Sequence, residues 1–329
     1  SIVKGHYAEV WRAKDSMYIT KRALAITVQE KDSVYMHSDT IMVTGKPEHR
    51  ITRAYYNARL YKSDMAGKSD SIHVDHKMGL TELINLSRFS SDDAFALKRK
   101  PVLWNIDNQM TGDTIHLISN AKTEQLDSLK VFENAFLISK DTISKDAFNQ
   151  IKGQRLIGLF KDNELYNVDV IKNAETIRYL RNDDNELIGI QKSKSGSINV
   201  KIIEQIVDEV RFINQIDGNI FPEADFPNSG KKLRGFDWRG EERPKSVEDL
   251  FKDDPPLDLP IIKGLEDYVP PEEFIDSDVT ERIEDAGKAT PNKTNKAARN
   301  LPKKTAVSPL KQNLKPKDSV KVKTKKAGQ

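Results

Sequence analysis

Asp70, His73, Asp75 and His76 are metal-binding residue types gathered within seven positions. His73 has a twin, because Asp-Ser-Ile-His-Val begins at Asp70 and Asp-Thr-Ile-His-Leu begins at Asp113, ending His116-Leu117. A metal site needs one convergent ligand set. A histidine that recurs with its surrounding phrase is better explained by the solvated face of a strand, so no metal ligand is expected here. The pairs Asp15-Ser16, Asp32-Ser33, Asp70-Ser71 and Asp113-Thr114 set a carboxylate beside a hydroxyl, as acid/base or nucleophilic chemistry would require. Four copies at a turn-to-strand junction point instead to turn chemistry, the Asp side chain bonding nearby backbone N–H groups. The chain has no cysteine, and neither a phosphate-cradling glycine loop nor a zinc-protease helix motif is present. The expectation is a non-enzymatic protein without a cofactor.

The elements that would position these residues are strands. In Ser71–Val74 and Thr114–Leu117 apolar and polar residues alternate, so that Ile72 and Val74, or Ile115 and Leu117, share a face opposed to His73 or His116. Period two is the signature of a half-buried strand. The phrase recurs: Asn57-Ala58, Asn134-Ala135 and Asn173-Ala174 repeat a pair, Lys100-Pro101 stands in its place once, and Asp32 and Ser195 begin further copies. Spacings drift from roughly 34 to 43 residues, which indicates one supersecondary unit with loops of variable length. Separators such as Met65–Asp70, Gln109–Asp113, Arg181–Glu186 and Ser193–Gly196 read as tight turns. Glu204–Ile216 also suits a helix, but the repeat logic favours a strand. Residues 1–218 therefore read as some fifteen short antiparallel strands in a β-sandwich, a jelly roll or a solenoid. The alternating apolar positions expected to point inward are Val34, Met36, Leu60, Ile72, Val74, Leu103, Ile115 and Leu117. They would form either a dry core or the lining of a cleft.

Charge divides the chain into blocks. Of its 329 residues, 37% are hydrophobic and 31% charged, with a net charge of +3. Residues 1–218 are nearly neutral; 219–285 are acidic and carry Pro-Pro pairs; 286–329 hold 13 Lys+Arg against Asp318 alone. The last two blocks have too few apolar residues to fold alone, and a disordered tail is expected. Ser246-Val-Glu-Asp249 has a helix-capping pattern, while Phe236, Trp238 and Phe251 are aromatic anchors suited to docking on the body or a partner. The Lys-rich end lacks the aromatic interleaving of nucleic-acid binders, so no nucleic acid is expected. A solvated tail, then attraction to anionic headgroups or to the acidic block, fits better. No apolar run approaches the ~20 residues of a membrane helix. The chain starts at Ser1 with no leader-like stretch, which reads as a removed signal peptide or an internal piece.

Asp32–Gly45, Ala58–Asp75 and Met110–Ser119 resemble the OstA-like family, which includes the LptA-type and LptD N-terminal domains of lipopolysaccharide export. The resemblance covers about residues 5–215, and Leu233–Phe251 looks like a downstream motif of the larger OstA-like proteins. It implies an all-β, repeat-built antiparallel β-jelly roll: an open two-sheet trough that holds acyl chains of lipopolysaccharide or lipid A. It further implies a periplasmic location and pairing through edge strands with other transport proteins or with further copies. The alternative is a structural β-repeat scaffold that binds proteins through its sheet edges and tail.

Overall fold

The computed structural model describes residues 2–256, apart from 30–31, 87–98, 106, 121–122, 124, 142, 145, 163, 183 and 204–205. The expected Lys-rich tail, 286–329, and the part of the acidic block from residue 257 on lie outside the described residues.

Alternation produces strands throughout. They are β1 (Ile2–Lys4), β2 (Tyr7–Trp11), β3 (Ser16–Thr27), β4 (Val34–Thr44), β5 (Ile51–Lys62), β6 (Met65–Asp75), β7 (Leu80–Ile84) and β8 (Val102–Asn105). They continue as β9 (Asn108–Thr111), β10 (Thr114–Ser119), β11 (Leu126–Lys140), β12 (Phe148–Lys161), β13 (Glu164–Arg181), β14 (Leu187–Ile203), β15 (Ile206–Ile213) and β16 (Asp217–Phe221). Every pairing is antiparallel, and neighbours in the sheet are mostly neighbours in sequence. The only helical elements among the described residues are short 3-10 turns. None is long and apolar enough to cross a membrane, which says nothing of a β-barrel.

The strands are longer than expected and each long one bends once. In β3, β5, β11 and β13 two successive residues are left-handed: Lys21 and Arg22, Tyr56 and Asn57, Glu133 and Asn134, Lys172 and Asn173, all with φ between 50° and 63°. Those two residues oppose a single residue on the next strand, as when pairing jumps from Tyr55↔Ser71 to Ala58↔Ser69. This is a bulge, and bulges bend and twist a sheet. The residue after each left-handed pair is a fully buried alanine: Ala23, Ala58, Ala135 or Ala174. A small side chain is what the inside of a corner accommodates.

On the intervening strands the corner is formed by serine or glycine. Ser38, Ser69 and Ser195 each donate Oγ–H to the carbonyl two residues on, at 2.8, 2.7 and 2.9 Å. Gly153 occupies the same place in β12, and Gly112 separates β9 from β10. A Cβ on Gly112 would stand 2.2 Å from Val131 Cγ1, and one on Gly153 2.5 Å from Val170 Cγ1. Side chains tie the corner laterally: Asn57 donates to Asp39 at 2.9 Å, Asn134 to Asp113 at 3.1 Å and Gln154 to Glu133 at 3.1 Å. β8 takes up the pairing with β6 beyond the corner from β7, and Pro101 takes the place of alanine there. The repeated phrase is therefore the corner, copied along the molecule on every second strand.

This geometry corrects two readings. Three of the four expected tight turns, at 65–70, 109–113 and 193–196, run through strand and corner instead; only 181–186 is a turn between strands. A corner selects the same small, polar, left-handed-tolerant residues as a turn does. The four Asp-hydroxyl pairs are also not equivalent. Asp70 and Asp113 are corner residues, equivalent to Asp39 on β4, whereas Asp32 accepts from Ser63 N at 3.0 Å and Asp15 ends a 3-10 turn.

Two half-sheets result, joined along the corner line. Ile19, Ile41, Ile72, Ile115, Leu129 and Leu156 from one half, and Ala25, Met36, Leu60 and Leu103 from the other, form one buried apolar cluster. The chain then turns back. β16 pairs with β14 across the expected boundary at 218, and residues 222–256 lie along the outer face of the second half-sheet. Phe226, Leu233, Phe236 and Trp238 pack there against Phe136, Ile138, Ile177 and Ile190. Gln109 and Gln150, both fully buried, hold this strap with paired bonds. Gln109 donates to Asp237 O at 2.6 Å and accepts from Arg239 N at 2.7 Å; Gln150 donates to Lys231 O at 2.7 Å and accepts from Leu233 N at 2.8 Å. Farther on, Arg59 donates to Leu250 O at 2.9 Å and pairs with Asp253, and His37 meets Asp254 at 2.9 Å. Ser246 Oγ accepts from Asp249 N at the start of the 3-10 turn Glu248–Phe251, as its capping pattern suggested.

Candidate functional site

The site lies between the half-sheets at the N-terminal end of the trough. A partly open cavity of about 170 Å3 is lined by Val3, Ala25, Val34, Met36 and Leu60 from one half. Met17, Val43, Thr52, Val74 and Thr81 line it from the other. The two walls are the inward faces of β1 and β3–β7, so the alternation that makes each strand also lines the cavity.

Of the eight inward residues expected from sequence, Val34, Met36, Leu60 and Val74 line this cavity. Ile72, Leu103, Ile115 and Leu117 belong to the same apolar cluster but lie deeper along it, at most 4% exposed. Sequence reasoning did not place Arg50, at the mouth of β5, or His76, just past β6, in the cavity wall. Neither follows the alternation, because both sit in connecting segments. His76 Nε2 is 2.9 Å from Thr52 Oγ1, and its backbone N donates to Arg50 O at 3.2 Å. Burial pushes the His76 pKa down, and the nearby Arg50 charge pushes the same way.

The four suspected metal-binding side chains have separate partners. Asp70 is buried against Arg99 at 2.7 Å, His73 lies 3.0 Å from Ser71 Oγ, and Asp75 caps the backbone of Lys77 and Met78. Among the described residues no group of three or more His, Cys, Asp or Glu converges on a metal position. His116 faces outward, 3.1 Å from Glu82. Burial lowers the pKa of both His73 and His116. A second, polar pocket of about 200 Å3 lies at the corner between Asn57, Lys68, Asp70, Lys100 and Arg239. Burial depresses the Lys100 pKa there, partly offset by Asp113.

The trough ends in strands with one neighbour each. Among the described residues β1 and β2 pair only with β3, and β15 and β16 only with β14. Apolar side chains are exposed at both ends: Ile2, Val10 (62%) and Trp11 at one, Ile203, Ile216 (61%) and Ile220 at the other.

No family model matches the sequence. No curated protein matches it. Among solved structures the chain is similar to LptH, the LptA homologous periplasmic component of the conserved lipopolysaccharide transport device from Pseudomonas aeruginosa. The likeness covers 49% of this chain and 99% of that one, with 16% identity and a TM-score of 0.34.

Proposed function

We propose that the chain is a non-enzymatic, periplasmic lipid-binding component of lipopolysaccharide transport, holding acyl chains between its half-sheets. The observation that carries this reading is the partly open, mostly apolar cavity between two half-sheets that share a corner line. Apolar walls with few polar groups are the surroundings an acyl chain requires. The single-neighbour strands at both ends offer backbone N–H and C=O groups to a further unit, the usual basis of strand addition. Further copies, or other β-rich transport components, are the proposed partners. The repeated corner phrase and its resemblance to OstA-like sequences support the same reading.

A structural β-repeat scaffold is the second reading, favoured by the close burial of Ile72, Leu103, Ile115 and Leu117 away from the cavity. Extraction of the natively purified chain followed by mass spectrometry separates the two. Stoichiometric lipid A or other acyl-chain species are expected. A chain that is folded yet repeatedly free of lipid, even after incubation with lipopolysaccharide, would leave the scaffold reading.

A further inference from the structure

Arg50 is a cation in a wall made mostly of hydrocarbon. It precedes β5 and lines the cavity beside Met36, Leu60 and Val74. Its Nε is buried without a hydrogen-bond partner. Among the described residues its side chain forms no hydrogen bond or ion pair. The one titratable neighbour on the lining, His76, is neutral or cationic in every protonation state and so supplies no counter-charge. No acidic side chain lines the cavity.

A half-buried guanidinium whose Nε is shut off from any partner and which faces no anion is unfavourably placed. It becomes favourable when an anion arrives, because its N–H groups fit carboxylate and phosphate oxygens in pairs. Thr52 Oγ1 and His76 Nε2 lie beside it and can share a head group. We infer that Arg50 is a specificity-determining residue, selecting acyl chains that end in a carboxylate or phosphate over neutral ones. The head group sits at Arg50 and the chain runs along Val34, Met36 and Leu60. This inference rests on the reading of the cleft as an acyl-chain site and adds the charge of its occupant.

Calorimetric titration of the full chain with laurate, dodecyl phosphate and 1-dodecanol tests it, with inorganic phosphate as a competitor. Both anions are expected to bind about tenfold tighter than the alcohol, as a charge-assisted pair contributes that much. Arg50→Gln is expected to bring them level with the alcohol, whose own affinity stays unchanged, and Arg50→Lys to restore part of the preference. Equal binding of laurate and 1-dodecanol by the native chain overturns the inference while leaving the acyl cleft standing. Displacement of laurate by inorganic phosphate at equal concentration also overturns it, assigning the site to a free anion. Failure of all three amphiphiles to bind overturns both readings. The comparison within the native chain stands even if Arg50→Gln does not fold.

Discussion

Ile115 and His116 are adjacent and face opposite ways, which makes the strand register a single-residue question. Ile115 is fully buried in the trough core, and His116 lies outside against Glu82 and Phe132. Ile115→Asp buries an unpaired carboxylate and is expected to cost several kcal/mol. His116→Gln is expected to change stability by less than about 1 kcal/mol, as surface substitutions do. Urea unfolding of the two variants checks this; equal losses would put the register out by one. The histidines also set a pH dependence. Burial holds His73, His76 and His116 below their unfolded value near 6.5. Their stabilising contribution is therefore complete above that value and is lost as pH falls through the lower folded pKa values. The melting temperature is expected to drop between pH 7.5 and 5.5, and less so in a His73→Gln, His116→Gln double variant. All eight inward positions were legible from alternation alone, because period two is a local signal. Arg50 was not, because its place in the wall depends on where two non-local strands bring a connecting segment.

At the scale of elements, the corner was half legible. The Asn-Ala pairs were visible as a repeat, and their equivalence is seen in Ala58↔Ser69 and Ala174↔Ser195. The bend itself was hidden, because Ser-Gly and Gly-Asp signal a turn and a bulge alike. Copies are two strands apart in the sheet rather than three, since β4, β6, β12 and β14 each return one strand to the corner. Ala174→Leu places a large side chain where a fully buried alanine meets the bend. It is expected to cost about 1–3 kcal/mol by overpacking, read as a lower urea midpoint. The strap was legible only through its aromatic anchors. Gln109 fell within an expected tight turn and Gln150 carried no signal of its own, because their partners lie 128 and 81 residues away. Truncating both to alanine leaves two backbone N–H groups and two carbonyls of the strap unpaired. The expected outcome is tryptic cleavage within residues 222–256 under conditions where the native chain is resistant. Unchanged resistance would mean that the aromatic cluster alone holds the strap.

For the whole molecule, the central claim is that the space between the half-sheets receives hydrocarbon. The strap bears on it, since it binds one half-sheet from outside, anchored from Phe226 near β14 to Asp254 at His37 of β4. With that outer face covered, the inward face is the apolar surface left for an acyl chain. Acid weakens the covering: Glu242, though burial opposes its ionisation, is drawn down to about 2 by Arg239 and Lys68. Its stabilising contribution is present above about 4.5 and is lost as pH falls toward 2. The most direct measurement is photo-crosslinking from benzoylphenylalanine placed at Val34, inside the cavity, and at Lys130, which faces outward on β11. After incubation with lipopolysaccharide, the lipid adduct is expected from position 34 and absent from position 130. Adducts of equal yield from both, or none from position 34 in a folded chain, would contradict the account.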